Sequence, residues 1–282
     1  MNALAALKNQ LRPGYRKLVE NPTVQRLRKS RRVFDGKAKR YFASHPMNRP
    51  RTGDPILNDL LDNGVVVLPA HFAADAIAPI HATCLEYAER VRQGNPDPAW
   101  SSVIYDSDGI YRLRDIETIV PAAKLIVEDR YLRSLVPQYL GLPIRAVNTY
   151  LDYKPDWGKH DDTTVPHMDS WMSQIKIFTL LSEVTPASAP MVYWKRSHRD
   201  RPWRRDIDYA HFSESDIGSA GICPPHMLRD RSGQENSELE KVTIVGPPGT
   251  VVIADVRGFH RASSVFADYR LEVVQKFTVQ MF

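Results

Sequence analysis

The sequence has few cysteines and no long apolar run. Two cysteines in 282 residues, Cys84 and Cys223, cannot form a disulfide framework, so we expect reduced thiols that pack as small hydrophobic groups. No apolar run approaches the roughly 18 residues that a membrane-spanning helix needs. The apolar stretch within residues 1–8 is too short for a secretory signal. These features predict a globular cytoplasmic protein without internal repeats.

The positive charge is concentrated at one end of the chain. Residues 1–51 contain fourteen Lys and Arg against Glu20 and Asp35, which gives +12, and since the whole chain carries +5, the remainder carries −7. Such a basic segment can bind an anionic membrane surface or nucleic acid, or pack on the acidic remainder. No aromatic-rich basic motif of the RNA-binding kind accompanies it, which makes nucleic acid the least favoured partner. We expect residues 1–53 to form a basic extension and residues 54–282 to form the main domain.

Helical patterns come first along the chain, and strand patterns follow. Apolar spacing predicts a helix that stops at Gly64, a helix capped by Asp75, and a helix over Glu128–Leu140. Apolar runs and alternation then predict strands at 147–153, 175–181, 191–194, 241–245, 249–256 and 271–279. This order favours an α+β chain whose second half is a sandwich or jelly roll. Segments 95–112 and 199–240 are predicted to be long loops that could cover the mouth of a site.

The most informative motif is His167-Met168-Asp169. Side chains two positions apart on an extended segment share a face, so His167 and Asp169 can hold one metal ion while Met168 turns away. His260 follows the predicted strand at 249–255 and could supply a third ligand. Two imidazoles and one carboxylate are the ligand set of non-haem Fe(II) oxygenases. The pattern therefore predicts an iron site with open positions for other ligands.

Two cationic side chains could bind an anion beside this site. Arg270 opens the last predicted strand ten residues after His260. In a hairpin its guanidinium would point into the same barrel as the metal and could hold a carboxylate by two parallel hydrogen bonds. Lys176 interrupts an apolar strand seven residues after Asp169. It could face solvent on the outside of the sheet, or point inward and pair with a carboxylate.

Other histidines compete for the role of metal ligand. His160-Asp161-Asp162 repeats the His-x-Asp pattern, but it lies farther from the strand and reads as a solvated acidic loop. His198 follows a strand end, where a local hydrogen bond is the simpler role. His211 and His226 lie in the predicted loop at 199–240. We therefore favour His167, Asp169 and His260.

In their order and spacing, these motifs resemble those of the phytanoyl-CoA dioxygenase family of Fe(II)- and 2-oxoglutarate-dependent oxygenases. The resemblance covers residues 56–282. The segments that carry it are Asn63–Pro69, His167–Asp169, Ala189–His198, Gly249–Asp255 and Gly258–Ser263. One departure is Arg196-Ser197-His198, where the family usually has Gly-Ser-His, and this turn is read as structural.

The resemblance implies a double-stranded β-helix core, of the jelly-roll and cupin type, with N-terminal and flanking helices. It implies Fe(II) as the metal, 2-oxoglutarate as cosubstrate and O2 as oxidant. The implied iron ligands are His167, Asp169 and His260. Arg270 matches the arginine that grips the distal carboxylate of 2-oxoglutarate, and Ser263 matches a hydroxyl that assists it. Lys176 is a further candidate for contact with 2-oxoglutarate.

The reaction class also follows from the resemblance. Relatives that halogenate replace the carboxylate ligand, so its retention as Asp169 favours hydroxylation or a related oxidation. The expected substrate is a small metabolite or a lipid-linked anionic molecule. Two alternatives stay open: an iron-dependent oxidase or isomerase that does not use 2-oxoglutarate, and a jelly-roll binding module without catalysis.

Overall fold

The structure is a computed structural model that describes residues 26–44, 51–95, 103–105, 110–141, 144–155, 166–214, 239–263 and 269–279. Its helices are α1 (Arg31–Ser44), α2 (Pro55–Asn63), α3 (Ala74–Arg92), α4 (Ile116–Ile119), α5 (Lys124–Val127), α6 (Arg130–Leu140) and α7 (Pro202–Glu214), with a 3-10 turn at Pro121–Ala123. Its strands are β1 (Val65–Leu68), β2 (Val103–Tyr105), β3 (Tyr111–Arg114), β4 (Ile144–Lys154), β5 (Ile175–Leu180), β6 (Met191–Lys195), β7 (Glu240–Ile244), β8 (Val251–Asp255), β9 (His260–Ala262) and β10 (Arg270–Val279).

The strands form two antiparallel sheets. The larger has seven strands in the order β1-β8-β5-β10-β4-β3-β2, and the smaller has three in the order β7-β6-β9. An isolated antiparallel bridge between His167 and His260 continues the smaller sheet beyond β9. Helices combined with antiparallel sheets confirm the predicted α+β class, and the strands predicted after residue 143 are all present.

Local sequence signals explain where two of the helices begin and end. The Asp54 carboxylate accepts hydrogen bonds from the backbone N–H groups of Ile56 and Leu57, at 2.9 and 3.2 Å, and so caps α2. Gly64 ends α2 with a φ of 78°, a left-handed conformation that favours glycine. In the same way α6 is capped by Asp129, as its side chain accepts from Leu132 N at 2.8 Å. The predicted stop at Gly64 is confirmed.

The predicted cap at Asp75 is wrong. Helix α3 begins at Ala74, so its N-cap is Ala73, two residues before the predicted cap, and Ala73 makes no side-chain capping bond. Asp75 lies inside the first turn, and its carboxylate accepts a hydrogen bond only from the adjacent Ala76 N–H at 2.9 Å. An acidic residue there still complements the positive end of the helix dipole.

The larger sheet is buried on both faces. One face packs against the helices, and one buried cluster contains Leu60, Ile80 and Leu135 from the helices together with Ile177 and Ile253 from the sheet. The other face packs against the smaller sheet, and the buried residues of that interface are Val65, Phe178, Tyr193, Ile244, Val252, Ala254, Val256 and Val274. The space between the two sheets therefore contains the inward-facing side chains of β5, β8 and β10.

A third cluster lies behind the His-x-Asp motif and joins α1 to α7. Its buried members are Phe34, Ala38, Tyr41, Phe42, Met168, Trp171, Ile207, Phe212 and Phe259. The loop predicted for 199–240 is therefore wrong over 202–214, where Ile207 and Phe212 give α7 a buried face. The loop predicted for 95–112 is also wrong in part, because β2 and the start of β3 lie within it. In the part of the chain described, we find no helix with the length and apolar character that crossing a membrane requires.

Candidate metal centre

Backbone hydrogen bonds bring the two halves of the predicted site together. His167 N donates to His260 O, and His260 N donates to His167 O, both at 2.9 Å. Asp169 N donates to Val256 O, also at 2.9 Å, and Val256 directly follows the end of β8. The motif at 167–169 is therefore held by the segment 256–260, even though about ninety residues separate them along the chain. This pairing points the three predicted ligand side chains toward one another.

The ligand atoms of His167, Asp169 and His260 all lie within 4.8 Å of one another. Asp169 Oδ1 is 3.8 Å from His167 Nε2 and 3.6 Å from His260 Nε2. Two ligands that each lie about 2.1 Å from one ion are at most about 4.2 Å apart, so the two separations from Asp169 Oδ1 suit a shared metal. Within the described residues, no other group of three histidine, cysteine or acidic side chains converges in this way.

The second nitrogen of His260 fixes the orientation of its ring. His260 Nδ1 lies 2.9 Å from the carbonyl oxygen of Gly258, which can only accept a hydrogen bond. Nδ1 therefore donates to this carbonyl group, and Nε2 is directed at Asp169. His260 is 6 % exposed and its ring stacks on Tyr193 at a centroid distance of 6.5 Å. An imidazole oriented in this way can offer Nε2 to a metal ion.

Met168 turns away from the two ligands that flank it. It is fully buried in the cluster of α1 and α7, and its Sδ atom lies 2.9 Å from Arg204 Nη2. The alternation predicted for an extended segment therefore holds at this motif.

Lys176 points into the space between the sheets. Its Nζ atom is 2.6 Å from Asp169 Oδ2, and its side chain is 16 % exposed, which rules out the solvent-facing alternative. Burial alone would raise the pKa of Asp169. The charge of Lys176, followed by the two histidines, has the larger and opposite effect, so the net pKa lies well below its usual value. For Lys176, burial lowers the pKa, but Asp169 and Tyr150 outweigh burial and the net pKa is raised. The two groups form an ion pair at neutral pH.

Arg270 and Ser263 meet at the same dipeptide, Ala189-Pro190. Arg270 Nη1 donates to Ala189 O at 2.5 Å, and Ser263 N donates to Pro190 O at 2.9 Å. Arg270 also donates through Nη2 to the carboxylate of Glu272, two residues along the same face of β10. Burial raises the pKa of Glu272, an effect that Arg270 only partly opposes. The structure therefore places both residues in one region, with Arg270 already engaged by an internal carboxylate.

A buried ionic network behind the motif was not predicted from the sequence. Asp208 accepts from Arg204 Nε at 3.1 Å and from Arg257 Nη2 at 2.5 Å, and all three side chains are fully buried. Arg204 also donates to the backbone oxygens of Ser197 and Arg257. Arg257 donates through Nε to Trp171 O at 2.8 Å. The network therefore ties α7 to the turns on both sides of the metal ligands.

Asp255 links this network to the larger sheet. Its Oδ1 atom accepts from Arg257 N at 3.0 Å and from Gln174 N at 3.1 Å, and its Oδ2 atom accepts from Tyr139 Oη at 2.7 Å. Burial alone would raise the pKa of Asp255, but His198 and these hydrogen bonds lower it overall. The i, i+4 spacing of Arg204 and Asp208 on α7 was the one local signal of the network.

The rival histidines are placed elsewhere or fall outside the described residues. His198 Nε2 lies 3.2 Å from the carbonyl oxygen of Leu61, so the histidine is hydrogen-bonded as predicted, but its partner is 137 residues away in sequence and not local. His211 is buried on α7 and does not join the three converging ligands. The segments that contain His160-Asp161-Asp162 and His226 lie outside the described residues.

No protein-family model matches the sequence, and no curated protein sequence matches it significantly. Solved structures do match. The epimerase SnoN in complex with Fe3+, alpha-ketoglutarate and nogalamycin RO is 16 % identical, with 79 % of this chain and 82 % of that chain covered and a TM-score of 0.53. EctD from S. alaskensis, in its apo form, is 19 % identical, with 83 % and 81 % covered and a TM-score of 0.54.

HygX from Streptomyces hygroscopicus, with nickel and 2-oxoglutarate bound, is 14 % identical, with 82 % of this chain and 89 % of that chain covered and a TM-score of 0.51. Another crystal structure of HygX has hygromycin B bound as well. At these identities the likeness is one of fold. The chain therefore shares its fold with enzymes solved with iron, or with nickel and 2-oxoglutarate, and that fold brings together its two histidines and one aspartate.

Proposed function

We propose that the protein is an Fe(II)- and 2-oxoglutarate-dependent dioxygenase that hydroxylates a C–H bond of a small molecule. The observation that carries the proposal is the convergence of His167 Nε2, His260 Nε2 and Asp169 Oδ1 on one point. Two imidazoles and one carboxylate with open positions suit Fe(II) better than they suit a closed structural zinc site. Iron held there would supply the oxidising chemistry when 2-oxoglutarate and O2 are present.

The chain's own residues would divide the work as follows. His167, Asp169 and His260 would hold the iron. Arg270 would leave Glu272 and bind the distal carboxylate of 2-oxoglutarate through its planar guanidinium. Ser263, which shares the Ala189-Pro190 contact region with Arg270, would assist. Water would be excluded from the space between the two sheets by the apolar side chains that pack there.

We also propose membership of the phytanoyl-CoA dioxygenase family, with a double-stranded β-helix over residues 54–282. Support comes from the two antiparallel sheets and from the isolated bridge between His167 and His260, which extends the smaller sheet. Residues 1–53 would be an extension of this domain. Its helix α1 contributes Phe34 and Phe42 to the cluster behind the site, a contact that supports packing on the body.

The substrate we propose is a small molecule in the cytoplasm. SnoN and HygX were solved with nogalamycin RO and hygromycin B, respectively, and both are small molecules. A lipid-linked substrate presented at an anionic membrane is the variant of this proposal that the basic segment suggests. Deletion of residues 1–50 tests that variant, because unchanged sedimentation with anionic vesicles would remove the membrane from the account.

Titration calorimetry with Ni(II), an oxygen-inert substitute for Fe(II), tests the proposed function. Wild-type protein should bind one metal ion, and 2-oxoglutarate should bind only after the metal. His167→Ala should abolish metal binding. Arg270→Ala should leave it intact and weaken 2-oxoglutarate by about 10- to 100-fold, the equivalent of hydrogen bonds to a charged group. Arg205→Ala, which removes an ion pair with Asp200 instead, is the matched control.

The alternatives give different results in the same titration. Metal binding without any response to 2-oxoglutarate would favour an oxidase or isomerase that does not use this cosubstrate. Absence of metal binding by the wild-type protein would favour a jelly-roll binding module. A screen of metabolites for stimulated succinate release then searches for the substrate of the dioxygenase.

A further inference from the structure

The two carboxylate oxygens of Asp169 face different partners. Oδ1 faces the imidazoles of His167 and His260, at 3.8 and 3.6 Å from their Nε2 atoms. Oδ2 is the oxygen that contacts Lys176, with Nζ at 2.6 Å. The side chains of Asp169 and Lys176 are 14 % and 16 % exposed, so water has little access to the contact. One oxygen of the carboxylate is thus directed at the site and the other at the lysine.

The position of Lys176 in the sheet explains its direction. It lies in the middle of the larger sheet, opposite Lys276 of β10 and Ala254 of β8. Its neighbours in β5, Ile175 and Ile177, are fully buried on the opposite face, against the helices. An inward lysine here costs several kcal/mol in lost hydration unless an anion pairs with it. Asp169 supplies that anion.

We propose that Lys176 is a positioning residue that holds Oδ2 of Asp169 and leaves only Oδ1 for the metal. The proposal rests on the proposed function of the same site. A carboxylate that binds through both oxygens occupies two positions around an ion, whereas one that binds through a single oxygen occupies one. Since a two-histidine, one-carboxylate site works by keeping positions open, the lysine would protect the position that a second ligand needs.

Electrostatics lead to the same expectation. The positive charge of Lys176 offsets the negative charge of Asp169, so the three protein ligands and the lysine together carry no net charge. Removal of the lysine would leave a carboxylate that is free to close on a metal with both oxygens. Metal affinity should therefore rise, and affinity for the dianion 2-oxoglutarate should fall, because it loses both a position and a nearby cation.

Lys176→Met tests the proposal, because methionine preserves much of the chain length and removes the ammonium group. Calorimetry with Co(II) should show metal binding at least 10-fold tighter than in the wild type. Binding of 2-oxoglutarate to the Co(II)-loaded protein should be at least 10-fold weaker. The visible spectrum of bound Co(II), which reports its coordination, should change between wild type and variant before any 2-oxoglutarate is added. Lys195→Met removes a lysine–carboxylate pair of 2.9 Å in the smaller sheet and should change none of these values.

Two results would overturn the proposal. Affinities for both ligands within about 2-fold of the wild type would show that Lys176 only fills space. A parallel loss of both affinities, with the Co(II) spectrum unchanged, would show that it only supports the fold of the site. If Lys176→Met does not fold, Lys176→Leu, which also removes every donor, decides by the same titrations, with changes in the same directions. The titration of the wild-type protein comes first. If the wild type binds no metal, or if its metal-loaded form does not bind 2-oxoglutarate, the proposed function itself is refuted.

Discussion

The buried charge of Asp208 should contribute several kcal/mol to stability. Its two oxygens accept from Arg204 at 3.1 Å and from Arg257 at 2.5 Å, and no side chain of the three is exposed. Asp208→Asn keeps the shape and removes the charge. The loss of one member of a buried ion pair costs about 3–5 kcal/mol. The amide keeps one acceptor oxygen, so one of the two hydrogen bonds to charged groups, about 1.5–3 kcal/mol, is lost together with the charge.

The two guanidinium groups would then face each other without an anion between them. Burial first, and then the charge of Arg257, already lower the pKa of Arg204 to about 10. Repulsion between the two guanidinium groups would disturb their hydrogen bonds to the carbonyl groups of Ser197 and Trp171. We therefore expect the variant to bind metal more weakly as well, because these turns flank the ligands.

Urea denaturation of the metal-free protein, followed by far-ultraviolet circular dichroism, measures the effect. Asp200→Asn is the control, because Asp200 pairs with Arg205 at 2.5 Å where both side chains are more than a quarter exposed. Exposed pairs contribute only about 0.2–1 kcal/mol. We expect Asp208→Asn to lower the unfolding free energy by at least 2 kcal/mol more than the control. A difference under 1 kcal/mol, at an unchanged denaturant slope, would refute the reasoning.

Three further variants test burial and packing. Burial raises the pKa of Cys84 to about 12. In a Cys223→Ser background, the Cys84 thiol should therefore resist an aromatic disulfide reagent at pH 8 until urea unfolds the protein. The stability that this pKa shift confers should fall as the pH rises above 9. Gly258→Ala would place a methyl group on the hydroxyl of Tyr193, so thermal unfolding should show a loss of about 1–3 kcal/mol. Gly36→Ala in α1 meets nothing within 4 Å, so the same assay should show a gain of about 0.5–1 kcal/mol. Rapid native modification, a tolerated Gly258→Ala or a destabilising Gly36→Ala would each contradict the account.

Much of the fold follows from local sequence signals. Gly64 ends α2 because glycine, which has no Cβ atom, adopts the left-handed conformation of the helix end without a steric clash. Strands such as β8 show as continuous apolar runs, since both of their faces are buried. The three ligand-type side chains were also predictable, because His-x-Asp spacing places His167 and Asp169 on one face and a strand end carries His260. Asp75 shows the limit of such signals, because the N-cap of α3 is Ala73, two residues before the predicted cap.

The remaining features depend on contacts between distant segments. The residues next to Lys176 in the sequence do not identify Asp169 Oδ2 as its partner. That contact depends on the register of β5 against β8 and on the chain bend at Asp169. The role of Arg257 depends on α7, which read as part of a polar loop. Its apolar residues are sparse, and only packing against Phe34 and Trp171 makes them a buried face. Long-range packing therefore decides the electrostatic setting of the site.

An anaerobic titration of the protein with Fe(II) and 2-oxoglutarate tests the central claim most directly. A weak visible charge-transfer band should appear only when both are present, because it requires the cosubstrate to bind the iron that His167, Asp169 and His260 hold. The band should be absent from His167→Ala and should need higher 2-oxoglutarate concentrations in Arg270→Ala. Iron binding by the wild-type protein with no band at saturating 2-oxoglutarate would contradict the claim.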